Sequence, residues 1–179
     1  MLRGPVCEYP DLADVAPVTL ELGAGDPAGS TDPIPGGRWE LTELLYRPSL
    51  PITIAGDATG AIELVAGTPS AGDFSAALVV NITAPAPEMS SETGAGSYEQ
   101  LDGLLNFTNE CGDALTLSGT AYRVDTTGSD PVLSLWGQID IPIKDPFPIL
   151  VTIELEADFL LVEPQGVGDP VFEDRFEAP

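Results

Sequence analysis

Apolar and polar residues alternate with a period of two along most of this chain, and convincing helical spacing is almost absent. A period of two places successive side chains on opposite faces of an extended strand. Residues 73–83 are the clearest case. Phe74, Ala76, Leu78, Val80 and Ile82 share one face, and Ser75, Ala77, Val79 and Asn81 the other. In residues 132–141, Leu133, Leu135, Gly137, Ile139 and Ile141 oppose Ser134, Trp136, Gln138 and Asp140. In residues 149–161, an apolar face from Ile149 to Leu161 alternates with Thr152, Glu154, Glu156 and Asp158. Residues 38–47 and 15–22 read as further strands, the latter at an edge because Pro17 lacks a ladder donor. Residues 52–55 and 61–66 read as a hairpin across Gly56 to Gly60. Residues 98–109 read as one strand, with Leu101, Gly103, Leu105 and Phe107 aligned. Residues 114–124 pair with 132–141 around a turn at 125–131.

About nine strands with turn signals at this spacing predict an all-β domain, an antiparallel β-barrel first and a β-sandwich second. One apolar and one polar face per strand implies one core and one wet surface. The expected organisation is an N-terminal extension with one edge strand over 1–35, a barrel over 36–163 and a tail over 164–179. Residues 84–97, rich in Ala, Pro, Ser and Gly without alternation, read as a long loop and candidate lid.

Composition narrows the function classes. The chain has 179 residues, 43% of them hydrophobic, and 6 Lys+Arg against 29 Asp+Glu, a formal net charge of −23. So apolar a chain folds rather than remaining an acidic disordered one. Spread over roughly 8,000 Å², the excess charges sit roughly 19 Å apart, beyond the ~8 Å screening length of physiological salt. Arg3, Arg38, Arg47, Arg123, Lys144 and Arg175 are scattered singly. Nucleic acid is therefore not an expected partner, because phosphate neutralisation needs clustered cations. No apolar run is long enough to span a bilayer as a helix. Cys7 and Cys111 form an even pair, which together with the acidity suits an exported protein, secreted, periplasmic or on the cell surface. The N-terminal residues have no apolar signal core, so a signal peptide is expected outside this sequence. A Cys7–Cys111 bridge is the favoured pairing, and two unpaired buried thiols are the alternative.

The absence of histidine excludes Ser-His-Asp and Cys-His catalysis, His-ligated zinc and a proximal-His haem. The string Gly23-Ala-Gly25-Asp-Pro-Ala28 matches a dinucleotide fingerprint only as letters, because no helix pattern follows it. Glu154 and Glu156 share one strand face roughly 7 Å apart, a spacing compatible with a glycosidase carboxylate pair, but alternating acids on a strand read first as its solvated face. No catalytic residue is assigned. Calcium is the most natural cofactor for so acidic a chain. Asp125 to Asp130 and Asp57 to Gly60 could offer loop oxygens, yet neither matches a known calcium loop, and both read first as turns, so no metal ligand is assigned.

Two resemblances add to this reading. Gly37-Arg-Trp39-Glu-Leu-Thr resembles the G-x-W opening of lipocalin and wider calycin barrels, and Leu117 to Asp125 is similar to the interior strands of bacterial lipocalin-like domains. The resemblance implies an up-and-down barrel with Trp39 closing one end. The family's T-D-Y motif and its late-strand Arg have no counterpart. Asp169 to Glu177 resembles the short F-x-D-G-F-E tail of exported gammaproteobacterial proteins, with Arg175 where that pattern has Gly.

The expected function is non-enzymatic binding of a small apolar or amphipathic ligand inside a barrel, with Trp39, Leu41, Phe74, Leu105, Phe107 and Tyr122 as candidate ligand contacts. An extracellular structural or adhesive subunit, pairing strands with a protein partner, is the alternative. A carboxylate glycosidase is the third.

Overall fold

The computed structural model describes residues 7–27, 29–113, 115–143 and 148–166. All its regular elements are strands: β1 Val18–Leu22, β2 Gly37–Pro48, β3 Ala55–Thr68, β4 Ala71–Ala84, β5 Glu88–Leu101, β6 Leu104–Gly112, β7 Thr120–Asp125, β8 Val132–Ile143 and β9 Ile149–Pro164. Strands β2 to β9 form an antiparallel meander in sequence order. Strand β9 then pairs back onto β2, from Gly37 opposite Pro164 to Pro48 opposite Ile153, and the sheet closes into a ring. Closure gives both end strands of the meander a partner, though the ring is uneven, with β6 and β7 paired over only two residues each.

Closure depends on local details that the residues supply. Gly37 opens β2 with a φ of +139°, and a Cβ placed there would lie 2.2 Å from the Glu163 carbonyl oxygen. Only glycine fits that approach, so the first letter of the G-x-W string is a closure residue. Further along, a register shift between Leu41 and Glu43 leaves Thr42 and Glu43 both exposed. This bulge resets the parity, and Trp39, Leu41, Leu44 and Tyr46 all reach the interior.

Strand β1 is wedged into the ring rather than standing at an edge. Strands β2 and β3 pair only through Gly37–Glu40 and Ala61–Leu64, then diverge. In the gap, Leu20–Leu22 pair parallel with Leu44–Tyr46, while Val18 and Thr19 pair antiparallel with Ala58 and Asp57. The Cys7–Cys111 disulfide ties the segment before β1 to β6.

Three sequence expectations are corrected. The Gly56–Gly60 turn does not exist: β3 runs unbroken from Ala55 to Thr68, and the two short strands expected around that turn are one. A Cβ at Gly56 would lie 2.3 Å from the Asn81 carbonyl oxygen, so this glycine serves close strand approach rather than a turn. Residues 84–97 are not a loop: Glu88–Leu101 is β5, paired along its length with β4. Residues 98–109 are not one strand, because Asp102 and Gly103, both at positive φ, turn the chain from β5 into β6. An Asp-Gly pair is a strong two-residue hairpin signal. The strand total agrees with expectation only because a merged pair and a missed strand offset each other.

The 114–124 reading also changes. β7 begins at Thr120, and β6 and β7 pair only through Leu104–Ala121 and Leu105–Thr120. Above this seam the segment 115–119 takes the place of a strand. The Ser118 hydroxyl bonds both the N–H and the carbonyl of Phe107, at 2.9 and 3.2 Å, and Gly119 N–H donates to the Leu105 carbonyl.

Candidate functional site

The ring interior divides into a packed half and an open half. In the packed half Trp39, Phe74, Leu105, Leu133, Tyr122 and Phe159 are at most 1% exposed. Residues 29–36 cross this end. The Trp39 indole N–H donates to the Pro35 carbonyl at 3.2 Å. The Gln100 amide donates to the Tyr122 hydroxyl at 2.6 Å and to the Asp32 carbonyl at 2.7 Å, and the Tyr122 hydroxyl donates to the same carbonyl at 3.2 Å. The polar tips of Trp39, Gln100 and Tyr122 therefore all have partners, as burial requires. Desolvation, with a smaller contribution from nearby Asp73, pushes the Tyr98 hydroxyl up to about 12, so it stays neutral.

The open half holds a cavity of about 150 Å³. Its walls are Leu44 from β2, Leu78, Val80 and Ile82 from β4, Ile139 and Ile141 from β8, and Ile153 and Leu155 from β9. Leu20 of β1 and Ile54 complete the apolar surface at the β2–β3 gap. The Tyr46 hydroxyl, pointing inward here, accepts the Ile54 N–H at 2.9 Å.

One wall differs in chemistry. Strand β5 faces the cavity with Glu88, Ser90 and Glu92. Across the β6–β8 gap, Thr116 and Leu117 of the 115–119 segment supply the neighbouring wall. The Glu92 carboxylate anchors that segment by accepting the Thr116 N–H at 2.9 Å and the Thr116 hydroxyl. Asp140 stands at the lip, where it accepts the Thr152 hydroxyl at 2.8 Å.

None of Trp39, Leu41, Phe74, Leu105 and Tyr122 lines this cavity; the structure brings them together as packed core instead. Phe107 packs on Phe74 with ring centroids 4.6 Å apart and borders a small void of about 20 Å³, which shares Leu78, Glu92 and Leu117 with the main cavity. Leu78, Val80 and Ile82 were legible as one strand face, but which part of that face is packed and which is open depends on the cap. Glu88, Ser90 and Glu92 were missed with β5 itself. Their signal is the i, i+2, i+4 placement of polar residues before Gly94, Gly96 and Tyr98.

The outer face carries the other acidic candidates. Glu154 is paired with Arg47 at 2.5 Å, and Arg47 also binds Asp26 at 2.8 Å. Glu156, only 7% exposed, accepts the Gly25 N–H at 2.6 Å and lies 4.0 Å from Arg123. The glycine string at 23–25 is thus a strap bonded to this face, and no helix follows it. Arg123 stacks 5.6 Å above the Trp136 ring. Of the two candidate calcium loops, Asp57–Gly60 lies inside β3, with Asp57 accepting the Asn81 amide at 3.2 Å. Asp125 accepts the Thr127 N–H and hydroxyl at 2.9 and 2.7 Å, bonds that hold its carboxyl below the usual aspartate value. Among the described residues no group of three or more His, Cys, Asp or Glu is arranged to hold a metal ion. The tail motif at 169–177, Lys144, Arg3 and Ala28 lie outside the described residues.

Compared with protein-family models, curated proteins and solved structures, the chain matches none.

Proposed function

We propose that this protein binds a small apolar or amphipathic ligand in the open half of a lipocalin-like barrel. The observation that carries this reading is the apolar cavity of about 150 Å³ between β4, β8 and β9. Apolar walls with a few polar groups at one side are the usual chemistry of a ligand pocket. Space of this size accommodates roughly one benzene ring or a short alkyl chain. The remainder of a larger ligand would project through the mouth. The meander closed by β2–β9 and the capped Trp39 support the lipocalin-like part of the reading. The Cys7–Cys111 bridge fits an oxidising compartment and supports export.

Methyl NMR with 1-hexanol as probe tests it. Shift changes are expected at Leu44, Leu78, Ile82 and Ile141, with Leu105 and Leu133 unmoved. Leu78→Trp, which fills the space, is expected to abolish the response while the strand spectrum survives. An absence of shifts at saturating hexanol would withdraw the reading.

A further inference from the structure

We propose that the cavity selects ligands that carry a cationic head on an apolar tail, such as alkyl- or arylammonium compounds. The inference rests on the ligand-binding reading above and specifies its chemistry.

Its basis is the inward face of β5. The residues that β2, β4, β8 and β9 contribute to the cavity lining are Leu, Ile, Val or Ala, apart from Asp140 at the lip. Strand β5 instead presents Glu88, Ser90 and Glu92 on successive inward positions. Inward carboxylates on a barrel strand forgo apolar burial at those positions, a local conflict of the kind found at functional sites.

The two carboxylates are prepared differently. Glu92 is half-buried, and the Thr116 N–H and hydroxyl hold it in place. Neither donor is cationic, and no cation among the described residues compensates its negative charge at the mouth. Glu88 has no hydrogen bond or ion pair among the described residues, and it is exposed at the entrance. The described cations are all committed elsewhere. Arg38 bonds Glu40 and Glu63, Arg47 bonds Asp26 and Glu154, and Arg123 lies by Glu156 and Trp136. None of them lines the cavity. A ligand ammonium between Glu88 and Glu92 would gain charge-assisted hydrogen bonds there while its tail occupies the apolar space. A carboxylate head would meet repulsion at the same place.

The test compares hexylammonium, 1-hexanol and hexanoate by calorimetric titration at physiological salt, where general attraction to the acidic surface is screened. The expected order is hexylammonium tightest, by about tenfold over hexanol, the yield of one charge-assisted contact, with hexanoate weakest. Glu88→Gln is expected to remove most of that preference without weakening hexanol. Glu88→Lys is expected to turn it toward hexanoate. Glu99→Gln, on the outward face of β5, makes the same change in net charge as Glu88→Gln and is expected to leave the preference intact. Equal binding of ammonium and alcohol, or a preference that survives in both Glu88→Gln and Glu92→Gln, would overturn the cation inference and leave the cavity reading standing. Binding of none of the three would overturn both.

Discussion

At the scale of single residues, the closure seam carries a built-in conflict. Glu43 on β2 and Asp158 on β9 face each other across the β2–β9 ladder. Partial desolvation, and next the facing Asp158, hold the Glu43 carboxyl above its ordinary value. A raised carboxyl means that the folded state binds the proton more tightly than the unfolded chain. The seam is therefore weakened at pH above the raised folded value, and the penalty fades as pH falls toward the ordinary glutamate value of about 4.3. Glu43→Gln is expected to stabilise the protein at neutral pH by a few tenths to about 1 kcal/mol, solvent screening at the exposed Glu43 keeping the effect small. Denaturant unfolding should show that gain at pH 7 and none near pH 4. A pH-independent gain would assign the effect to propensity rather than charge.

At the scale of elements, β4 crosses from the packed half to the open one, and its residues should respond accordingly. Phe74 is completely buried and packs, tilted, on Phe107. Phe74→Ala is expected to cost about 3–5 kcal/mol, the sum of lost transfer energy and a new void. Leu78 belongs to the same face four residues on, but it already borders empty space. Leu78→Ala is expected to cost under about 2 kcal/mol, because fewer contacts are lost there. Urea unfolding of the two variants checks the difference, and equal costs would mean that the open half is packed in solution. Strand β5 teaches the complementary lesson. Its inward residues Glu88, Ser90, Glu92, Gly94 and Gly96 give no apolar alternation, so its sequence looks like a loop. A Cβ at Gly96 would lie 2.1 Å from the Thr108 carbonyl oxygen, so this glycine marks close pairing with β6.

At the scale of the whole molecule, the ring is closed by non-local contacts, and a covalent link spans 104 residues of it. Cross-linking so long a loop restricts the unfolded chain and stabilises by about 4–5 kcal/mol in the chain-entropy model. Reduction by dithiothreitol, or Cys7→Ser with Cys111→Ser, is expected to lower the urea midpoint accordingly. An unchanged midpoint would show that the reduced chain gains little freedom. Added salt should raise stability modestly in either form, since a net charge of −23 opposes compaction until it is screened.

Periodicity by itself determined the all-β class, the inward residues of β4, β8 and β9, and the turn before β8, because a strand's two faces are written directly in odd and even positions. The even cysteine count likewise pointed to the bridge. Tertiary structure decided what periodicity leaves open. Trp39 and Tyr122 share a face pattern with Leu78 and Ile141, yet the first pair is packed beneath residues 29–36 and the second borders open space. Whether an inward residue meets another side chain or a cavity depends on which segment crosses the ring at its height. That crossing brings together residues far apart in the chain, and no local pattern records it.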